Sequence, residues 1–380
     1  MTKSKKALSV KDVIKLNNVV FVDTRGESSF YYGHIPNAIC VSVKRVNEFD
    51  FDANSVFVLY CRNEETSKAI AESIDKENVF YLEGGYSKWI KESYKNLDKK
   101  EVQEKAELSI RKKFHKELFS KFAKGIKEYD MIQPDDKIAV CISGGKDSML
   151  LAKLFQEIKK HNKYPFELVF LVMDPGYSKE NREIIETNAK LLGVPIEVFE
   201  TNIFESVVNI EKSPCYVCAR MRRGYLYSKA KELGCNKIAL GHHYDDVIET
   251  IMLGMLYGAQ VQTMMPKLHS TNFEGMQLIR PMYLVREEDI IKWRDYNNLH
   301  FIECACKFTA MTEEETSNVG SKRKRVKQLI RELKQEDPQI ENNIFRSVEN
   351  INLSTVIAYK DEQGEHHFLE TYNDKKNHEE

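Results

Sequence analysis

No apolar run in this sequence approaches the roughly 18–20 residues that a membrane-spanning helix needs, which excludes helical membrane insertion. A secretory leader is not read either, because MTKSKKALSVK at the start carries charge with no apolar core behind it. A cytoplasmic location without a membrane partner is therefore expected. An excess of either charge is lacking: 57 Lys+Arg stand against 58 Asp+Glu, a formal net charge of −1. Net charge alone thus gives no sign of a nucleic-acid partner. No internal repeat is found, so a solenoid is excluded. In a reducing compartment the eight cysteines do not make a disulfide framework. They divide into ligands, nucleophiles and small core residues.

What is present suits a soluble protein of about two or three domains, with 42% hydrophobic and 30% charged residues in 380. The bases are clustered. Arg111, Lys112, Lys113, Lys116, Lys121, Lys124 and Lys127 form one run; Lys322, Arg323, Lys324, Arg325 and Lys327 form another. Such runs are solvated helix faces or contacts to a polyanion.

Residues 1–97 read as a small α/β unit. VVFVDT (19–24), VFVLY (56–60) and VFYL (79–82) are buried strands, and TSKAIAESI between the last two is an amphipathic helix. Residues 98–132 read as a linker and a basic helix, with Ile110, Phe114, Leu118, Phe122 and Ile126 four apart. In 133–310 four strands (KIAVCI, FELVFLVMD, IEVFE, KIALG) alternate with helices, which predicts a parallel sheet covered on both faces. Residues 311–356 are expected to be a helical extension and 357–380 a weakly ordered tail.

SGGKDS (143–148) lies between a strand and a helix. Gly144 and Gly145 let the backbone turn tightly beside a phosphate. The following helix start offers N–H groups and a partial positive charge. Lys146 adds a cation, Asp147 can hold Mg²⁺, and Ser143 and Ser148 can donate hydrogen bonds. The spacing is not that of G-x-x-x-x-G-K-[ST]. In GHHYDDVIET (241–250), Gly241 follows the fourth strand. Ligands gather at the carboxyl ends of such strands, so Asp245 and Asp246 face Mg²⁺ and phosphate or cap the next helix. His242 and His243 are site residues or loop residues.

SPCYVCARMRRGYLYSKAKELG (213–234) reads as a helix with Ser213 as N-cap, Pro214 at the first position and Gly234 past the end. Cys215 and Cys218 then share one face of the first turn. The helix start and Arg220, Arg222 and Arg223 favour thiolates there. With Cys304 and Cys306 in IECACKF (302–308), the pair is half of a zinc site or part of an iron–sulfur site.

SGGKDS resembles the PP-loop of the ATP pyrophosphatase superfamily, whose members adenylate a substrate while cleaving ATP to AMP and pyrophosphate. Together with CYVCARMRRGYLY, LGHHYDDVIET and MMPKLHS…IRPMYLVREEDI, from about Lys105 to Cys304, it resembles the tRNA 2-thiocytidine synthetase family. That resemblance implies an adenine nucleotide alpha hydrolase-like fold, ATP, Mg²⁺, a 4Fe–4S cluster, a tRNA substrate and a homodimer. Carried over, Cys215, Cys218 and Cys304 hold the cluster and leave one iron open to sulfur. The family has a further cysteine three residues after the third ligand; here Cys306 is two after Cys304 and stands as the alternative.

VDTRGESSFYYGHIPNAI (22–39), YCRNEETS (60–67) and LEGGYSKW (82–89) resemble a single-domain rhodanese. This implies sulfane sulfur carried as a persulfide on Cys61, where surrounding N–H groups favour a thiolate and Arg62 assists. Glu64 and Glu65 disfavour an anionic donor such as thiosulfate, so a cysteine desulfurase is the expected donor. An inactive docking module is the alternative. Asp23 and Arg25 are expected to form a structural ion pair, and Cys40, Cys141 and Cys235 to be core residues. The combined expectation is an ATP- and iron–sulfur-dependent sulfurtransferase acting on C2 of a tRNA cytidine, with Cys61, Lys146, Asp147 and Asp245 as catalytic residues. The same chemistry on a small molecule, or a zinc-stabilised adaptor, are the alternatives.

Overall fold

The computed structural model describes residues 6–62, 64–95, 97–161, 164–204, 214–302, 318–370 and 372, with the side chains of 28, 214–216 and 318–321 excepted. The chain divides into two compact units. One is Met1–Asp245 with Met265–Ser317; the other is Asp246–Met264 with Asn318–Glu380.

The first unit holds two sheets. β1 (Ala7–Leu8), β2 (Val19–Asp23), β3 (Ile39–Cys40), β4 (Val56–Tyr60) and β5 (Val79–Leu82) form the first, in the order β1-β5-β4-β2-β3. All its pairings are parallel. The apolar run of β4 is buried because the sheet is covered on both faces. Phe57 and Leu59 pack with Ile70 and Ala71 of the helix Glu64–Glu72. Cys40 departs from the core reading: it is half-buried and lines a cavity with Glu27, Arg45 and Phe49. It ends a two-residue edge strand, which has a neighbour on one side only.

The helix Lys99–Arg111 leads to the second sheet. Asp98 caps it, accepting from the N–H groups of Lys100 and Glu101. A one-turn π-helix, His115–Phe119, then joins it to the helix Ser120–Glu128. Ile110, Phe114, Leu118, Phe122 and Ile126 are all buried, as their spacing requires. The basic residues between them are partly consumed by pairing. Arg111 meets Glu107 and Glu157, and Lys121 meets Asp289. Lys112, Lys116 and Lys127 remain exposed.

The second sheet has six strands. β6 (Lys137–Ile142), β7 (Glu167–Asp174), β8 (Ile196–Glu200), β9 (Lys237–Ala239), β10 (Lys267–His269) and β11 (Gln277–Ile279) stand in the order β10-β11-β9-β6-β7-β8. Only β10–β11 is antiparallel. β10 and β11 are additional to the four strands read from sequence; three residues are too few to show a period. The central β6 has β7 on one side and β9 on the other. The chain reverses there, so the segments after β6 and β9 meet at one edge, where ligands bind in such sheets.

The second unit contains the helices Asn318–Glu336 and Ile340–Ser347 and a hairpin, β12 (Ala358–Asp361) with β13 (Gly364–His367). Residues 358–367, expected within a weakly ordered tail, form this hairpin. Asp361 explains it: its Oδ1 accepts from the N–H groups of Gln363 and Gly364 at 2.7 and 3.2 Å and closes the turn. Residues 373–380 lie outside the described part.

Candidate active site

The loop after β6 is built by its glycines and serines. Gly144 has φ +87°, and a Cβ there would stand 2.5 Å from Ile185 Cγ1. Gly241, just past β9, brings its backbone against the loop; a Cβ would lie 3.3 Å from Asp147 C and Ser148 N. Ser148 Oγ accepts from the Ser143 N–H at 3.2 Å and donates to the Gly145 carbonyl at 3.0 Å. The two serines therefore preset the loop, while the helix Lys146–His161 starts with N–H groups that lack intrahelical partners.

Lys146 is 0% exposed. Its ammonium lies 3.1 Å from Asp147 and 3.1 Å from Glu287, and 4.2 Å from the centre of the Tyr32 ring. Burial on its own disfavours the charge, but Asp147, Tyr32 and Glu287 reverse that, and its pKa is raised. Glu287 was invisible as a site residue in sequence, since it is one carboxylate in an ordinary acidic helix start, EED.

Asp245 caps a helix other than its own. Its Oδ2 accepts from the Glu287 N–H at 2.7 Å, and Arg286 stands 3.3 Å from Oδ1. The buried His243 sits between two carboxylates, 3.9 Å from Asp147 and 3.7 Å from Asp245. Both carboxylate side chains keep some exposure, 19% and 17%. That suits an oxygen-ligated Mg²⁺ shared with a phosphate. Asp246 belongs to the second unit, where its carboxylate pairs with Arg323 at 2.8 Å. Arg323 and Lys327 also approach Glu249 there, so this part of the second basic run is internally neutralised.

Cys218 is on the helix Pro214–Glu232, half-buried in an apolar wall of Met173, Ile203, Phe199, Met221 and Leu226. Cys215 is in the same first turn, with its side chain outside the described residues. Ser213, Cys304 and Cys306 also lie outside them. Among the described residues no three metal-ligating side chains converge. The donor chemistry nonetheless fits an iron–sulfur group: thiols at a helix start, beside apolar side chains that limit solvent. Arg222 is turned to Tyr177 Oη at 3.4 Å, whereas Arg220 and Arg223 are exposed.

Cys61 follows β4 directly. Its N–H donates to Ser67 Oγ at 2.8 Å, and its carbonyl accepts from the Tyr86 N–H at 3.0 Å. Burial pushes the thiol up, only partly offset by hydrogen bonds from Arg62 N–H and the Thr24 hydroxyl. Burial thus opposes the thiolate that the surrounding N–H groups are expected to favour. Glu64 accepts from the Gly84 N–H at 3.0 Å, while Glu65 is exposed. Asp23 and Arg25 form the expected buried pair at 2.6 Å, with Tyr60 Oη donating to Asp23 at 2.8 Å.

The first sheet's helices meet the second sheet's loop. Arg294 donates to the Tyr31 carbonyl at 3.0 Å and to that of Tyr32, satisfying the end of the helix Glu27–Tyr32. Tyr94 Oη donates to the His300 carbonyl at 3.1 Å, and Trp89 packs edge-on to its ring. Burial, then Arg294 and His34, pushes His300 down to about 3. Ile302 closes on the PP-loop side, 3.4 Å from where a Gly144 Cβ would be. Sequence reasoning found the loop and missed this junction, because its members, from Tyr31 to Ile302, lie far apart in the chain and nothing local marks them as neighbours.

Residues 113–307 match the family described as PP-loop domain, and residues 7–92 the one described as Rhodanese-like domain. A tRNA-cytidine(32) 2-sulfurtransferase of Neisseria meningitidis serogroup C is 40% identical over 198 residues, 50% of this chain and 61% of that protein. The chain thus spans 61% of that relative's length. A tRNA-cytidine(32) 2-sulfurtransferase of Pelobacter propionicus is 34% identical over 232 residues, 60% of this chain and 83% of that protein. Among solved structures, the U34-tRNA thiolase NcsA from Methanococcus maripaludis with its 4Fe–4S cluster is similar at 21% identity and TM-score 0.48, over 61% of this chain and 79% of that one.

Proposed function

Because the chain belongs to the PP-loop domain family, as an ATP-binding enzyme related to the tRNA-cytidine(32) 2-sulfurtransferases, we propose that it replaces O2 of cytidine 32 in tRNA by sulfur. Residues 1–97 serve as the sulfur carrier and 133–310 as the ATP-using part. The supporting observation is the segment Leu299–Ile302, which leads toward Cys304 and is packed between Trp89 and Tyr94 on one side and Gly144 on the other.

The loop backbone and the helix start take the phosphates, and Lys146 neutralises them. Asp147 and Asp245 hold Mg²⁺, which offsets phosphate charge. The cytidine O2 attacks the α-phosphate of ATP; pyrophosphate leaves and an O-adenylated base forms. Sulfide sulfur then bonds to C2 and the C2–O bond breaks, with AMP taking the oxygen. Cys61 carries that sulfur as the outer sulfane sulfur of a persulfide, loaded by a protein donor such as a cysteine desulfurase; an external dithiol supplies the two electrons that release it as sulfide, becoming a disulfide and leaving Cys61 as a thiol. Cys215, Cys218 and Cys304 would hold a 4Fe–4S cluster, which supplies an iron with an open position for sulfur when bound. Lys112, Lys116, Lys127, Arg220 and Arg223, all exposed, are the bases for RNA phosphates.

Mass spectrometry of tRNA nucleosides tests this. A deletion strain should lose 2-thiocytidine and regain it with the intact gene. An unchanged 2-thiocytidine level rejects the substrate.

A further inference from the structure

We propose that Tyr32, carried by the rhodanese-like part, is a positioning residue of the nucleotide site: its ring holds the Lys146 ammonium where ATP phosphates meet it. This rests on the reading of 143–148 as the ATP loop.

Three observations converge on Tyr32. Its ring lies under Lys146 Nζ at 4.2 Å, on a lysine with 0% exposure. A cation held against an aromatic face gains most when it is desolvated. The helix that ends at Tyr32 is anchored from the other side, because Arg294 donates to the carbonyls of Tyr31 and Tyr32. Arg294 lies on the helix Glu287–Tyr296, which also supplies Glu287 to Lys146. One helix of the PP-loop part therefore holds both walls around the ammonium: a carboxylate of its own and an aromatic ring borrowed from the sulfur-carrying part. Asp147 closes the third side.

The ring and the two carboxylates have different fates when nucleotide enters. The carboxylates can turn to Mg²⁺, whereas an aromatic ring is no ligand for Mg²⁺ and keeps Nζ in place. The nucleotide site is complete only with the rhodanese-like part docked. By linkage, nucleotide binding must then strengthen that docking in equal measure.

The test is binding of the non-hydrolysable analogue AMPCPP to the full chain by calorimetry. Tyr32→Leu should weaken binding by roughly tenfold, the size of a desolvated cation–π contact. Tyr32→Phe keeps the ring and should bind at wild-type affinity. Persulfide loading of Cys61 should be unchanged in both, which separates positioning from general unfolding. Arg294→Gln should weaken binding too, and the Tyr32→Leu/Arg294→Gln double variant no further than the worse single one. Hydrogen exchange over 27–33 should slow on AMPCPP addition in wild type and not in Tyr32→Leu. Unchanged or tighter binding by Tyr32→Leu, equal losses in Leu and Phe, or additive losses in the double variant would overturn the inference. Lys146→Met must lose AMPCPP binding; if it does not, the ATP-loop reading itself fails. If Lys146→Met loses binding and Tyr32→Leu does not, only the role of Tyr32 falls.

Discussion

The Cys61 loop and the Lys146 loop occupy the same place in two different sheets. Each follows a central parallel strand, β4 or β6, and each leads into a helix. Each also leans on a left-handed glycine: Gly85 at φ +61° beside Cys61, Gly144 at φ +87° beside Lys146. Burial acts on both reactive groups in the same sense, against the charged form. The outcomes are opposite. Cys61 is pushed up toward the neutral thiol, while Lys146 has two carboxylates within 3.1 Å and keeps its charge. Topology places a reactive group, and its neighbours then set the charge state.

The largest expected effect breaks the Lys146 side of this comparison. Lys146→Met leaves the buried Glu287 and the partly buried Asp147 without their cation, and should destabilise the fold by about 3–5 kcal/mol. Urea denaturation measures it, and adding Glu287→Met should restore part of the loss. On the other side, Cys61→Ser should lower sulfur transfer from a cysteine desulfurase to background, with AMPCPP binding intact. Sulfur transfer at wild-type rate would show that the rhodanese-like part only docks.

The two glycines sharpen the comparison. Gly144→Ala and Gly85→Ala both force a Cβ into the left-handed region, the first 2.5 Å from Ile185 and the second 2.7 Å from the Cys61 carbonyl. Each should cost about 1–3 kcal/mol. Gly144→Ala should impair only nucleotide binding and Gly85→Ala only persulfide loading; a shared defect would mean the loops are not separable.

The smallest effect is in pH. Burial holds Cys61 up, so its alkylation by iodoacetamide should rise with pH and reach half-maximum above the value of a free cysteine. Cys40, pushed up to about 11 by burial and then by Asp23 and Glu27, should also resist at neutral pH. Peptide mass spectrometry separates the two. A half-maximum for Cys61 below that of free cysteine would restore the thiolate reading.

Much of the fold is written in local pattern. Apolar runs located β2, β4 and β5 to within a residue, because a strand buried on both faces must be apolar throughout. The spacing from Ile110 to Ile126 found a buried helical stripe even across its π-turn. β10 and β11 escaped because three residues carry no period, and the hairpin at 358–367 because its turn rests on one aspartate.

SGGKDS, Gly241 and the Cys215–Cys218 spacing belong to the first kind of information, in which loop geometry and helix phase follow from neighbouring residues alone. The partners of Lys146 belong to the second. Glu287 and Tyr32 come to it from 141 residues further along and 114 residues back, and Asp245 turns to Glu287 rather than to its own helix. An acidic helix start and a tyrosine are ordinary in sequence. They become parts of a site only when packing takes them out of water beside a cation, because charge and ring interactions gain their strength from desolvation.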